Sequence, residues 1–152
     1  MRKKRNYKVA ILGKLPTKFE APFDDESWDI WAYNYHIDGN RLPRVTQWFD
    51  LHSKCPNPKA TINRTNFPFL SCENLVGGSY FNNTAPYLIA YAVLKRYKEI
   101  ALYGMRFTTE NEERTAQRQN TRELMFFAKG RGIKVSAPVD SIMTLCYPRY
   151  GV

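Results

Sequence analysis

Residues 8–13, Lys8-Val9-Ala10-Ile11-Leu12-Gly13, constrain the fold of this chain more than any other segment. The run is apolar, contains β-branched residues and closes on glycine. A strand of that composition is covered on both faces, the pattern of a parallel sheet, and the glycine marks the turn that follows. In open parallel sheets ligands bind outside the carboxyl ends of the strands. The next residues, Lys14-Leu15-Pro16-Thr17-Lys18, are therefore expected to face a ligand.

The rest of the chain alternates strands with helices. Strands are expected at 7–12, 28–33 and 47–51, with 22–27 a turn or short helical piece. Residues 53–80 read as an irregular insertion, because Pro56, Pro58 and Pro68 break any long element. A β-ribbon or flap involving 60–62 and 67–70 is expected within it. Asn83-Thr84-Ala85-Pro86 starts a helix, with an N-cap candidate and proline in the first turn. That helix is expected to run to about Tyr97, since Tyr87, Leu88, Tyr91 and Leu94 recur at helical spacing. A buried strand follows at 99–103 and ends at Gly104. A long amphipathic helix at 109–129, a last strand at 133–137 and a short helix at 138–145 complete the chain. The expected fold class is α/β: a single Rossmann-like domain over 7–152, with a mainly parallel sheet flanked by helices, behind a basic tail at 1–6.

Length and composition exclude several classes. The 152 residues suffice for one domain with a real core. No apolar run approaches the roughly 18 residues of a membrane span, and no apolar export segment follows the basic start. Cys55, Cys72 and Cys146 are odd in number and scattered, which argues against a disulfide framework and for a reducing cytoplasm. Aromatic residues make up 14% of the chain, and such rings often line sites for flat ligands. The net charge is +9, of which Arg2, Lys3, Lys4 and Arg5 supply four, leaving +5 for the body. The tail is read as a frayed, solvated terminus, with nucleic-acid binding as its alternative. The body's excess suits an anionic small ligand as well as a polymer.

A parallel sheet would gather 13–18, Asn34-Tyr35-His36, His52, Arg106-Phe107-Thr108 and Asp140-Ser141 at one edge. The helix starting near Thr84 would point its free N–H groups there, towards an anion. Gly13, Thr17, Asn34, His36, Thr84 and Arg106 are the candidate ligand contacts, joined by Glu113 and Gln117 if that face of the long helix turns inward. The bland alternative is an ordinary α/β domain whose loop polar groups and charged helix face are merely solvated. Neither a Walker loop nor a GxGxxG turn follows Gly13, which removes ATP hydrolysis and NAD-linked hydride transfer. Gly77-Gly78-Ser79 allows close approach to a phosphate or, equally, a flexible hinge. His36 and His52 are the histidines, and either has the chemistry of a general acid or base. His52 with Cys55, and Cys72 further on, makes half a zinc site without a fourth ligand, so no metal and no cofactor are expected.

Two resemblances extend this reading. The segments Ala21-Pro22-Phe23-Asp24-Asp25-Glu26-Ser27-Trp28-Asp29-Ile30-Trp31-Ala32-Tyr33-Asn34, Gln47-Trp48-Phe49-Asp50-Leu51-His52, and the stretch from Arg114 through Gly130-Arg131-Gly132-Ile133 to Tyr147-Pro148-Arg149-Tyr150-Gly151 resemble uncharacterised bacteriophage Rossmann-like proteins. That resemblance implies a phage or prophage origin. Tyr97-Lys98-Glu99-Ile100-Ala101-Leu102-Tyr103-Gly104 is similar to a helix–strand segment of bacterial CMP-sialic-acid transferases. Thr84 matches their phosphate-binding hydroxyl, Asn34 an Asn that contacts the nucleotide, and Gly13 with Pro16 and Thr17 their Gly-Pro-Ser turn. Gly104-Met105-Arg106 stands where they carry Gly-Ile-Asp, and their catalytic histidine has no matched position. What this likeness implies is nucleotide binding. Glu123 ahead of Ala128 is loosely similar to the nucleophile arrangement of nucleoside deoxyribosyltransferases.

The leading expectation is a phage-encoded protein, in the cytoplasm of the host bacterium, that binds a nucleotide or nucleotide-sugar and sequesters a host nucleotide signal in counter-defence. The alternatives are a glycosyltransferase or N-glycosidase with His52 or Glu123 as catalyst, and a basic nucleic-acid-binding accessory protein, which ranks behind them. Trp31 and Tyr150 are offered either to a homodimer interface or to the core.

Overall fold

The computed structural model describes residues 4–34, 41–54, 56–105, 111–138, 149 and 151. In chain order the elements are β1 (Lys8–Leu12), a 3-10 segment (Pro16–Glu20), β2 (Trp28–Tyr33), β3 (Gln47–Asp50), β4 (Ile62–Asn63), α1 (Phe69–Val76), α2 (Thr84–Leu94), β5 (Glu99–Tyr103), α3 (Glu112–Gly130) and β6 (Lys134–Ser136). The strands form one sheet in the order β4-β3-β2-β1-β5-β6, and every described pairing is parallel. The chain steps outward from β1 to β4, then returns to lay β5 against the other side of β1. Strand order therefore reverses between β1 and β5, with Leu12 opposite Tyr103 at their carboxyl ends.

The sheet is buried on both faces, which explains the uninterrupted apolar run in β1. Val9 and Ile11 share a core with Trp31, Phe49 and Leu102, and with Leu88 and Ile89 of α2 and Leu124 and Met125 of α3. Ala10 and Leu12 point the other way, into a cluster with Ile30, Ala32 and Ala21, bordered by Phe23, Leu42 and Trp48. Among the described residues the three α-helices thus pack on one face, while the 3-10 segment and loops cover the other.

Several boundaries differ from expectation for identifiable reasons. The expected β-ribbon at 60–62 and 67–70 is not formed. Ile62–Asn63 instead adds a parallel edge strand to β3, and Phe69 begins a helix. Phe67 and Phe69 pack at 5.7 and 5.0 Å from the Tyr87 ring, so the 67–70 segment serves the α1–α2 contact. Helix α2 stops at Leu94 because Arg96 takes a left-handed φ of 61°, which lets Tyr97 N donate to Ala92 O. Helix α3 starts at Glu112, capped by the Asn111 side chain, which accepts from Arg114 N at 2.8 Å. Trp31 is 4% exposed and belongs to the core, so it offers no dimer surface. Tyr150 and most of the expected helix at 138–145 lie outside the described residues.

Candidate functional site

The carboxyl ends of β1 and β5 are joined tightly. Gly13 N donates to Tyr103 O at 2.8 Å, Leu15 N to Gly104 O at 3.0 Å, and Gly104 N to Thr17 Oγ1 at 2.9 Å. A Cβ on Gly13 would lie well inside contact of the Gly104 carbonyl oxygen and 2.9 Å from its carbon. Gly104 adds a φ of +69°, a conformation that glycine adopts without steric cost. Gly13 and Thr17 consequently build the wall behind the site. Neither lines the cavity itself.

In front of that wall lies a cavity of about 750 Å³, a size suited to a small-molecule ligand. Lys14 and Leu15 reach it from the turn after β1, Tyr33 and Asn34 from the end of β2 and the residue after it, His52 from the segment after β3, and Gly104 and Met105 from the turn after β5. Asn82, Asn83 and Thr84 at the start of α2, and Glu113, Arg114 and Gln117 on α3, complete the lining. The structure thus brings together five sequence-derived candidates: Asn34, His52, Thr84, Glu113 and Gln117. His36 and Arg106 lie outside the described residues. Glu123 does not line the cavity; it accepts from the Tyr80 hydroxyl and from Gln119 Nε2 at 3.0 Å. The first of these bonds is the main reason the Tyr80 phenol titrates above its ordinary range.

Asn34 is the most unusual member. It adopts a φ of 61°, which asparagine tolerates better than most side-chain-bearing residues. Its N–H donates to Phe49 O at 2.8 Å, and its carbonyl accepts from Asn57 Nδ2 at 3.2 Å. Its side-chain oxygen is buried and has no partner among the described residues. A buried acceptor left unpaired costs about 1–3 kcal/mol, so this atom is one a ligand N–H or O–H would satisfy.

The two helix N-termini beside the cavity differ in a telling way. That of α3 is capped by Asn111 and carries Glu112 and Glu113 in its first turn. That of α2 has no side-chain cap and no acidic residue in its first turn. Asn83 instead gives its amide to Asn82 Oδ1 at 2.7 Å and Gln117 O at 3.3 Å. The first-turn N–H groups of α2 are therefore left for an anion, and Pro86 removes one that would otherwise need a partner.

His52 is held by a carboxylate that sequence reasoning missed. Asp50, 2% exposed, accepts from His52 N at 3.0 Å and meets His52 Nδ1 at 2.7 Å through the same oxygen. Its other oxygen accepts from Asn57 N at 2.8 Å. In the neutral ring this pairing favours the Nδ1–H tautomer, with Nε2 as the acceptor, and the side chain is 59% exposed. The i, i+2 spacing of Asp50 and His52 was the available signal. On α3, Gln117 donates to Glu113 Oε1 at 3.1 Å and accepts from Arg114 Nη1 at 3.0 Å, which fixes a mixed-charge polar wall.

Among the described residues no three His, Cys, Asp or Glu side chains converge. Cys55 lies outside them. Burial pushes the Cys72 thiol up to about 12, with Glu73 adding to the shift, so that sulfur stays a protonated core group. Among the described residues no helix is long and apolar enough to cross a membrane.

No protein-family model matches this sequence, and no curated protein matches it significantly. Two solved structures are similar to it. A point mutant of the alpha-2,3/8-sialyltransferase CstII is 16% identical, with a TM-score of 0.49 over 86% of this chain and 80% of that one. The sialyltransferase CST-II in complex with a trisaccharide acceptor and CMP is 15% identical, with a TM-score of 0.47 and the same coverage. The Rossmann-like assignment rests on this chain's own strand order.

Proposed function

We propose that the protein binds a nucleotide or nucleotide-sugar in the cavity at the carboxyl edge. The observation that carries this reading is the uncapped N-terminus of α2 opening on a cavity beside the strand-order reversal. Thr84 and the first-turn N–H groups take the phosphate, with Lys14 and Arg114 supplying positive charge. Asn34 Oδ1 accepts from the base or sugar, Glu113 and Gln117 engage sugar hydroxyls, and Leu15, Tyr33 and Met105 flank the base. His36 and Arg106 join this set on their sequence positions alone. Calorimetry against nucleotides, nucleotide-sugars, ADP-ribose derivatives and cyclic nucleotides tests the proposal, and absence of heat across the panel refutes it.

The Asp50–His52 pair favours a second reading in which the bound ligand is turned over by glycosyl transfer or N-glycoside hydrolysis. His52 is the candidate base, and Glu123 has less support because it stands outside the cavity lining. Incubation followed by chromatography separates the two readings. Released base or nucleoside monophosphate supports turnover, whereas quantitative recovery of intact ligand supports binding without turnover, which the proposed role in phage counter-defence by sequestration requires.

A further inference from the structure

A second cleft, of about 390 Å³, opens away from the carboxyl-edge cavity, beside the C-terminal end of α2. Its base is aromatic. Trp31 lies 5.0 Å from Phe49, 5.4 Å from Tyr91 and, edge-on, 5.3 Å from Tyr97. Trp31 and Phe49 are buried, whereas Tyr91 and Tyr97, which also line the cleft, are half-buried. The rim is cationic: Lys95 Nζ stands over the Tyr91 ring at 5.4 Å, and Arg5 donates to the Lys95 carbonyl. Lys4, Arg96 and Lys98 are exposed next to them in the chain. Among the described residues the one carboxylate lining the cleft, Asp29, is already engaged, accepting from Asn6 Nδ2 at 3.0 Å and from the Tyr97 hydroxyl. Arg96 also occupies the left-handed position that closes α2.

We propose that this cleft and its flanking cations form a binding surface for single-stranded nucleic acid, independent of the carboxyl-edge cavity. Accessible aromatic rings recognise unstacked bases, which a duplex does not expose, and neighbouring cations follow the backbone. Arg5 and Lys95 line the cleft and Lys4, Arg96 and Lys98 flank them in the chain, a number of cations that suits the repeated phosphates of a strand better than a single nucleotide.

The test uses the full chain and a fluorescein-labelled oligothymidylate of about 15 nucleotides, followed by anisotropy over a salt series. Binding is expected to weaken with salt, with a logarithmic slope of about −0.7 for each phosphate neutralised. A Lys95→Glu/Arg96→Glu variant, altered only at exposed positions and checked by circular dichroism, should bind at least about tenfold more weakly and lose about 1.4 from that slope. Tyr91→Leu should lose about tenfold through stacking. Unchanged affinity in the charge-reversal variant overturns the proposal. So does loss of all binding on deleting residues 2 and 3, which assigns it to the tail. Displacement by mononucleotide at the concentration that saturates the carboxyl-edge cavity overturns it too, as does binding to phosphatidylserine vesicles without binding to the strand.

Discussion

Gly13→Ala tests whether the site's rear wall is built as described. The new Cβ would press on two backbone atoms of Gly104 and on Met105 Cγ at 3.0 Å, and the backbone atoms cannot swing aside. Relief requires the turns after β1 and β5 to separate, straining three hydrogen bonds: Gly13 N to Tyr103 O, Leu15 N to Gly104 O, and Gly104 N to Thr17 Oγ1. Weakening one or two of these at about 1 kcal/mol each, with about 1–3 kcal/mol of overpacking, gives a loss of roughly 3 kcal/mol. With a urea dependence of about 2 kcal/mol per molar, the unfolding midpoint should fall by about 1.5 M. Gly130→Ala is the internal control. Gly130 ends α3, and a methyl group added there would meet no heavy atom within 4 Å, so the same substitution should stabilise by about 0.5 kcal/mol. Ligand affinity should fall in the first variant, because Lys14 and Leu15 hang from the displaced turn, and stay constant in the second. A Gly13→Ala loss below about 1 kcal/mol, or shifts of the same sign in both variants, would refute the reasoning.

Asn34→Gly keeps the left-handed backbone free and removes the orphaned acceptor, so thermal stability should hold or rise while ligand affinity drops about tenfold by calorimetry. Thr17→Val strips Gly104 N of its acceptor and should cost about 1–2 kcal/mol in denaturant unfolding, with far less effect on ligand binding than Thr84→Val. Arg96→Gly should raise stability by about 1 kcal/mol in the same assay, because glycine enters the left-handed closing position without penalty. Burial raises the Cys72 thiol from 9.0 to about 12, and burial with the Glu73 hydrogen bond raises Tyr87 from 10.0 to about 12. Both groups stay neutral in the folded chain while the unfolded chain ionises first. Their stabilisation is therefore full below the unfolded values and declines as pH rises towards 12, which urea midpoints between pH 7 and pH 11 would register.

Local sequence determined the strands that are buried on both faces. The runs at 8–12, 28–33 and 99–103 carry enough apolar, strand-forming residues to exclude other structure, and recognising them as strands needed no long-range information. The start of α2 was equally legible, because its N-cap position and proline are local signals. Three of the five candidates that meet at the cavity, Asn34, His52 and Thr84, were found because parallel topology alone sends strand ends and helix starts to one edge, whereas Glu113 and Gln117 came from their i, i+4 spacing on one helix face. Tertiary structure decided the rest. The 67–70 segment has strand-like composition yet becomes the approach to a helix, because Phe67 and Phe69 gain a packing partner in Tyr87. Whether a hydroxyl meets a ligand or a backbone amide depends on what lies across the fold. Thr17 reads as a site residue in sequence, but 87 positions along the chain it finds Gly104 N. The orienting of His52 by a buried Asp50, the missing partner of Asn34 and the aromatic cleft beside α2 are likewise properties of packing, since burial and pairing are set by residues far apart in the chain.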